Sequence, residues 1–565
     1  MFAALFFIKY GYYGFSYYPI LDDYIQYGGY RLLKPIFTSV LIKGRTITTR
    51  PLASLSDPYI WGQLWHHMYI SFFIITLLHL LSCWFFYQVF KKNNLTLGYV
   101  ALLIYGFFPF GTEATYWISA SSRIIVGMFV LSVALYLLSL YCDTSSKRKK
   151  TWFFLFWIIH LMSFGYYEPT IALGFVMAYL ILFNNRKNIT SLWIYGIPLI
   201  NLMTIGAYYI VFSRVGNMSD RGQFLTDNFM IRWIDLIQKV MYLWIVPQFQ
   251  LYRNGIPRGF AVLVENKSFL WMLGIVVLSI LAGIIVYKEE RYTKNWVKIS
   301  IGFLLMLVPY GPFFLLRQGG DELRIAFFSL LGLGIVLQGI FDLLAFNKVV
   351  RGVMSVFVSV AVCLMLLVHV SELTDYKRTS EYDAQIGKDM LSILEGTGVL
   401  EGTNKFVVLN NKKSYAPNNT AYATHIANAT SSRWALTGML RALDENTKLL
   451  YTMVAKDQAQ FAYDDVVMKE FVFLGIEDDG TVKRLRREDA TQEVLEKVLR
   501  ESMNLDANSQ LSIAANTALN TALNASLNTE KTEVLNVVLL YDEKDELFGF
   551  IHVIDVEKAF FYKIR

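Results

Sequence analysis

Nothing constrains the fold of this chain more than its apolar runs of membrane-spanning length. "MYISFFIITLLHLLSCWFFYQVF" at 68–90 is one of them, and others recur as far as residue 370. A hydrocarbon core roughly 30 Å thick needs about 20 such residues in a helix. With no water there to bond the backbone, the helix is what satisfies it. Candidate spans are 1–20, 67–90, 95–114, 122–142, 151–167, 169–183, 190–212, 268–287, 297–316, 325–346 and 350–370. Of the 565 residues, 55% are hydrophobic and 16% aromatic, which excludes an ordinary soluble enzyme. The first segment lacks a basic leader and a small-residue cleavage site, so it reads as a span rather than a signal peptide.

Charge sets the topology. The net charge of +7 comes in short clusters between apolar runs, not as a phosphate-binding stripe, so no nucleic-acid partner is expected. "KKNN" (91–94), "SSKRKK" (145–150), "NNRKN" (184–188), "KEERYTKNWVK" (288–298) and "NKVVR" (347–351) all fall on the cytoplasmic side under two conditions. The N-terminus is cytoplasmic, and 213–267 stays outside. The apolar stretch 240–252, which carries Pro247, is then a short interfacial or re-entrant helix. The outer face receives the loop 21–66, "GTEATYWISASSR" (111–123), "GYYEP" (165–169), the loop 213–267 and "RQGGDELR" (317–324). Everything from 371 is also outside.

The polar region 371–565 has a different rhythm. "KFVVLN" (405–410), "VLNVVLLYD" (534–542) and "LFGFIHVID" (547–555) alternate as strands, the last two joined as a hairpin by "EKDE". "QEVLEKVLRESM" (492–503) has a helical period, and "NTALNTALNASLNT" (516–529) is a surface helix or low-complexity insertion. The expected fold is an α-helical polytopic membrane protein of about eleven transmembrane helices (1–370) with a C-terminal extracytoplasmic α/β domain (371–565). Cys83, Cys142 and Cys363 all lie in or beside apolar runs, so no disulfide framework is expected. A bacterial plasma membrane fits that composition.

Two adjacent acids, Asp22 and Asp23, stand where the first apolar run reaches the outer surface. Carboxylates so placed serve as a general base toward a hydroxyl or as ligands to a cation holding a phosphate, or else as an interfacial cap. Further along come "TTRPLASL" (48–55), a helix with His66, His67 and His79, "FPFGTEATYWISASSRIIVGMFVL" (108–131) and "FGYYEPTIALGFVMAYL" (164–180). This ordered set resembles the polyprenyl-phosphate-dependent membrane glycosyltransferases of the GT-C superfamily, the protein O-mannosyltransferase type among them. The likeness covers about residues 15–180.

The resemblance implies a GT-C-like catalytic domain and an inverting transfer. A sugar would move from a polyprenyl-phosphate-linked donor in the membrane lipid to an extracytoplasmic glycan, lipid or protein acceptor. Asp22 or Asp23 would act as base or metal ligand. Arg50, Arg123, Arg317 and Arg324, with Glu113 and Glu168, would bind the donor phosphate or the acceptor. Arginine suits phosphate because its planar fork donates two hydrogen bonds at once. A divalent metal, Mg or Mn, would sit on Asp22, Asp23 and His67. Plainer readings stand beside these roles: helix-end snorkelling for Arg123, pairing with Asp321 or Glu322 for Arg317 and Arg324, and a helix N-terminus for Glu168. His79 and His160 read as buried hydrogen-bonding residues. The rival function is a transporter or flippase of lipid-linked sugars, which calls for ionisable groups at the bilayer midplane. The sequence places few charges there.

Overall fold

The computed structural model describes residues 1–24, 50–93, 97–109, 112–143, 146–189, 191–215, 229–289, 295–315, 323–345, 347–409, 426–444, 446, 452–454, 460–462, 471–477, 480–489, 537–541, 547–555 and 558–563. The chain is mostly helical and divides into two compact units. One holds 1–19, 33–377 and 417–425; the other holds 20–32, 378–416 and 426–565.

The first unit is a helical bundle. Its helices are α1 Phe2–Tyr10, α2 Pro51–Ser56, α3 Met68–Lys92, α4 Tyr99–Phe107, α5 Thr112–Thr115, α6 Ile118–Cys142, α7 Lys149–Phe164, α8 Glu168–Asn184, α9 Trp193–Val215, α10 Phe229–Glu265, α11 Phe269–Lys288, α12 Asn295–Leu307, α13 Leu323–Leu344 and the start of α14 Lys348–Leu394. Among the described residues, seven helical stretches are long and apolar enough to cross a membrane, and α8 is a shorter apolar helix. α6 is the most enclosed, with buried serines at 119, 121, 122, 132 and 139 among its apolar residues. Small and hydroxyl side chains let neighbouring backbones close in where lipid provides no hydrophobic drive. α12 and α13 show this directly: a Cβ at Gly302 would lie 2.7 Å from the Val336 nitrogen. α11 instead turns Leu270, Leu273 and Ile280 outward, as a lipid-facing helix does.

Several expected boundaries shift. The run 1–20 is helical only to Tyr10, because Gly14 (φ +72°) and Phe15 (φ 60°) turn the chain into the left-handed region. The run 297–316 ends in a 3-10 turn, Val308–Phe314, where Pro309 and Pro312 remove backbone donors. The described end of the loop 21–66 is helical: α2, then a π turn Asp57–Trp61 and a 3-10 turn Gly62–His67. The expected short helix 240–252 is part of α10, which runs unbroken through Pro247 and Pro257 for 37 residues, about 55 Å at 1.5 Å per residue. Along that length Trp233 donates to Phe314 O (2.8 Å), Trp244 to Tyr310 Oη (3.1 Å), Arg258 pairs with Asp375, and Asn266, just past the helix, reaches Tyr12 Oη (3.0 Å). Gly255 and Gly259 of α10 also approach Val368 and Leu367, so α10 packs against the middle of α14 as well as against the turns after α1 and α12.

α14 does not stop at 370. It has 47 residues, about 70 Å, more than twice a hydrocarbon core, and its polar second half carries the chain into the second unit. That unit contains an eight-stranded sheet, ordered β2-β1-β4-β5-β6-β7-β8-β3. The strands are β1 Lys405–Leu409, β2 Thr452–Val454, β3 Gln460–Ala462, β4 Phe471–Ile476, β5 Val482–Asp489, β6 Val537–Tyr541, β7 Leu547–Asp555 and β8 Lys558–Lys563. β2, β1 and β4 are parallel, with Val407 opposite both Met453 and Phe473; the other pairings are antiparallel. Helix α15, Arg433–Leu443, buries Ala435, Leu436, Met439 and Leu440 at helical spacing. The β6–β7 hairpin stands where alternation places it, but β8 follows it. The helix expected at 492–503 and the repeat 516–529 lie outside the described residues.

Candidate functional site

The site begins with the short run after Arg50. Pro51 sits at the first position of α2, where a missing N–H costs nothing. The Leu52 N–H donates to Gly165 O at 2.9 Å, docking this turn on the "GYYEP" corner. A Cβ on Gly165 would lie 2.7 Å from Leu52 Cγ, so glycine permits the approach. The docking brings Arg50 to Glu168, the first residue of α8. Arg50 Nε is 3.0 Å from both carboxylate oxygens and Nη2 is 3.0 Å from Oε2. The guanidinium also lies 3.7 Å from the centre of the Tyr167 ring. Only 18% of the Arg50 side chain and 8% of that of Glu168 is exposed.

A second pair stands within electrostatic reach of the first, since the charge of Arg123 acts on Arg50. Arg123, in the second turn of α6, donates through Nη2 (2.6 Å) and Nε (3.0 Å) to Asp57 Oδ2, and Ser122 Oγ bonds Oδ1 at 3.3 Å. Arg123 is therefore an enclosed ion-pair partner and not a snorkelling end residue. Asp57 is buried and opens the π turn; such turns recur at functional sites. Sequence reading passed over Asp57, and the only signal was "SDP" within the run that follows Arg50.

A third pair completes the arrangement. Arg324, in the first turn of α13, is 3.6 Å from Glu113 and lies over the Trp117 ring at 5.9 Å. One helical turn further, Phe328 stacks on Tyr167 at 5.6 Å, which links this pair to Arg50. The structure thus gathers Arg50, Arg123, Arg324, Glu113 and Glu168 at one end of the first unit and adds Asp57. Arg324 is paired with Glu113, while Asp321 and Glu322 lie outside the described residues. Arg317 lies outside the described residues.

The acid pair belongs to the second unit, not to the membrane bundle to which 1–370 assigned it. Its two members diverge. Asp22 Oδ1 accepts the indole N–H of Trp434 at 2.8 Å, whereas Asp23 is buried and its Oδ2 accepts the Ile20 N–H at 3.2 Å. Leu21, just before them, has φ 44°. A residue held in this sparsely populated region is a local strain of the kind found at functional sites. His66 and His67 are exposed at the end of the 3-10 turn, the His67 ring set edge-on to Tyr69 at 5.9 Å. Among the described residues, no three His, Cys, Asp or Glu side chains are grouped to hold a metal ion. His160 bonds Asn201 on the neighbouring α9 at 3.0 Å, and His79 sits among the edges of Phe6, Tyr105 and Phe327.

Beside the Arg50–Glu168 pair opens a cleft of about 450 Å³. Its walls are apolar: Ile171 and Phe175 of α8, Leu202 and Ile205 of α9, and Pro312 of the 3-10 turn. Among the described residues, Glu168 and Tyr209 bring polar groups to its lining. The charge of Arg50 reaches Tyr209 as well. An apolar cleft whose margin carries Glu168, itself paired with Arg50, suits an amphiphile with an anionic head and a hydrocarbon tail. No protein-family model, no curated protein and no solved structure matches this chain.

Proposed function

We propose that this chain is a GT-C-type membrane glycosyltransferase. It moves one sugar from a polyprenyl-phosphate carrier to an extracytoplasmic glycan, lipid or protein. The observation that carries this reading is the apolar cleft lined in part by Glu168 of the Arg50–Glu168 pair, with the Arg123–Asp57 pair within electrostatic reach of Arg50. The prenyl tail lies in the cleft, and the phosphate rests against Arg50 and Arg123, each held in place by its carboxylate. Arg324, and Arg317 in the same outer loop, add positive charge. In a one-step displacement the bond from the anomeric carbon to the phosphate oxygen breaks, and a bond to the acceptor oxygen forms. The acceptor's proton passes to a carboxylate base, the role that the family resemblance implies for Asp22 or Asp23. The phosphate leaves as an anion that the arginines neutralise, which is where a preorganised site lowers the barrier most.

The same reading takes all eleven apolar runs as spans. The N-terminus is cytoplasmic, and the sheet-bearing unit lies outside a bacterial plasma membrane, where it helps bind the acceptor. The test is sugar transfer from synthetic polyprenyl-phosphate donors by purified, reconstituted protein. Transfer that falls at least tenfold in Arg50→Gln is expected. No transfer from any such donor overturns the proposal.

One observation favours the transporter reading. Lys9 is 1% exposed within α1, its Nζ donating to Gly106 O at 2.9 Å, and His369 and Glu372 are buried on α14. Ionisable groups inside a bundle mark transport pathways more often than anchors. Directional movement of a labelled lipid-linked sugar without transfer decides for that reading.

A further inference from the structure

The turn that ends α1 forms one wall of a second pocket of about 350 Å³, and the 3-10 turn before α3 forms the other. Its lining includes Ser16, Tyr17, Trp65, His66, Met68 and Tyr69. Tyrosine and tryptophan at a membrane surface ordinarily form an interfacial belt. Tyr17 is fixed differently: its hydroxyl accepts the Ile118 N–H at 2.9 Å, and its ring lies 5.3 Å from Tyr116 and 6.0 Å from Phe72. The wall it belongs to is held in an uncommon shape, with Gly14 and Phe15 both at positive φ. Phe15 stays there because its ring packs against Phe7 (5.5 Å), Phe72 and Phe73 (6.2 Å each). A strained, ring-locked turn facing an open pocket is the kind of outlier from which a binding role is inferred.

We propose that this pocket binds a neutral pyranose ring. Among the described residues none that lines it is acidic and none is lysine or arginine, so these side chains offer a phosphate or a cation no countercharge. The lining includes the rings of Tyr17, Trp65 and Tyr69, residue types whose π faces attract the weakly positive C–H surface of a sugar. The Ser16 hydroxyl and the His66 imidazole, both solvent-exposed, supply donors and acceptors for its hydroxyls. The volume lies at the small end of the range for ligand clefts, roughly 300 to 1,000 Å³, which fits one sugar residue and not a nucleotide. The site stands apart from the arginine pairs in its chemistry: they take the charged part of a donor, and this pocket takes an uncharged saccharide. It rests on the transferase reading only for the role of the bound sugar.

The test is saturation-transfer NMR on the full-length protein in lipid nanodiscs, with methyl hexopyranosides, methyl N-acetylhexosaminides and phosphocholine as probes. At least one glycoside should receive saturation on its C–H face. That signal should fall about tenfold in Trp65→Ala and in Tyr69→Ala and return in part in Trp65→Phe. Tyr69 is 52% exposed, so its truncation leaves packing intact even if Trp65→Ala does not fold. Absence of saturation for every glycoside overturns the proposal, as do an undiminished signal in Tyr69→Ala and preferential contact with phosphocholine. Glycoside contact in a protein that transfers no sugar keeps the pocket and removes the transferase; transfer without any glycoside contact does the reverse.

Discussion

Replacing Arg50 by glutamine separates what its ion pair does for the fold from what it does for a phosphate. The substitution strands Glu168, whose side chain is 8% exposed and which loses three contacts of 3.0 Å. Breaking an enclosed pair by removing one partner costs about 3–5 kcal/mol, mostly because a carboxylate remains out of water without its countercharge. Glu168→Gln strands Arg50 instead, at a smaller cost, since Arg50 is 18% exposed and keeps the face of Tyr167. The double variant leaves two neutral amides that can bond each other. Its thermal midpoint in detergent should therefore lie closer to wild type than the sum of the single losses, with a coupling of about 2–3 kcal/mol. Donor binding should not recover. One or two charge-assisted hydrogen bonds to phosphate, about 1.5–3 kcal/mol, correspond to an affinity roughly 10- to 150-fold weaker in both Arg50→Gln and the double variant. The assays are thermal unfolding and the donor dependence of transfer in one preparation. Strictly additive stability losses refute the pairing argument, and full donor affinity in the double variant refutes the phosphate role.

Three further outcomes follow from the geometry. Asp57→Asn weakens the 2.6 Å contact with Arg123 and should lower both stability and donor affinity, whereas Asp57→Glu should restore neither fully; wild-type behaviour of Asp57→Asn counts against this pair. Gly165→Ala forces a Cβ against Leu52 and should destabilise by about 1–3 kcal/mol, with Leu52→Ala in the same chain relieving part of that loss in unfolding measurements. Glu289, just beyond the end of α11, accepts the Tyr99 N–H at 3.0 Å, and burial pushes its carboxyl up to about 7 from 4.5. A raised folded-state value means its stabilisation is complete below pH 4.5 and is lost as pH rises through 7. Glu289→Gln should gain on wild type across that window by up to about 3 kcal/mol, and a difference independent of pH in thermal midpoints contradicts this.

How much of this was legible in the sequence depends on the range of the interaction. Some apolar runs of hydrocarbon length match a helix closely, as 122–142 does within Ile118–Cys142 and 268–287 on Phe269–Lys288, because the bilayer imposes a length that local sequence must meet. Where turn residues compete, the run overstates the helix, as at Gly14 and Phe15 after Tyr10. Polar helices carry no such mark, so the continuation of α14 beyond 370 was invisible. In the second unit the alternating runs gave β1, β6 and β7, while the short β2 and β3 exist only through partners distant in sequence.

The same logic explains why the arginines were foreseeable and their partners were not. Arg50, Arg123 and Arg324 stand at the margins of apolar runs, where any charge is conspicuous. Which carboxylate each one meets is set by folds across 118, 66 and 211 residues, and no local pattern encodes that. Asp57 shows the difference most clearly: by composition it is one acid in a turn, and its burial against Arg123 arises only when α6 packs beside the π turn. An arginine clamped by one buried carboxylate is oriented before any ligand arrives, so little side-chain entropy remains to be lost on binding. Three such clamps at one end of a bundle, one of them at the margin of an apolar cleft, make a surface that is neutral overall yet locally primed for an anion with a hydrocarbon tail. A purely structural set of ion pairs has no need of that cleft, and filling it by Ala172→Trp should therefore abolish donor use while leaving the Arg50–Glu168 coupling intact.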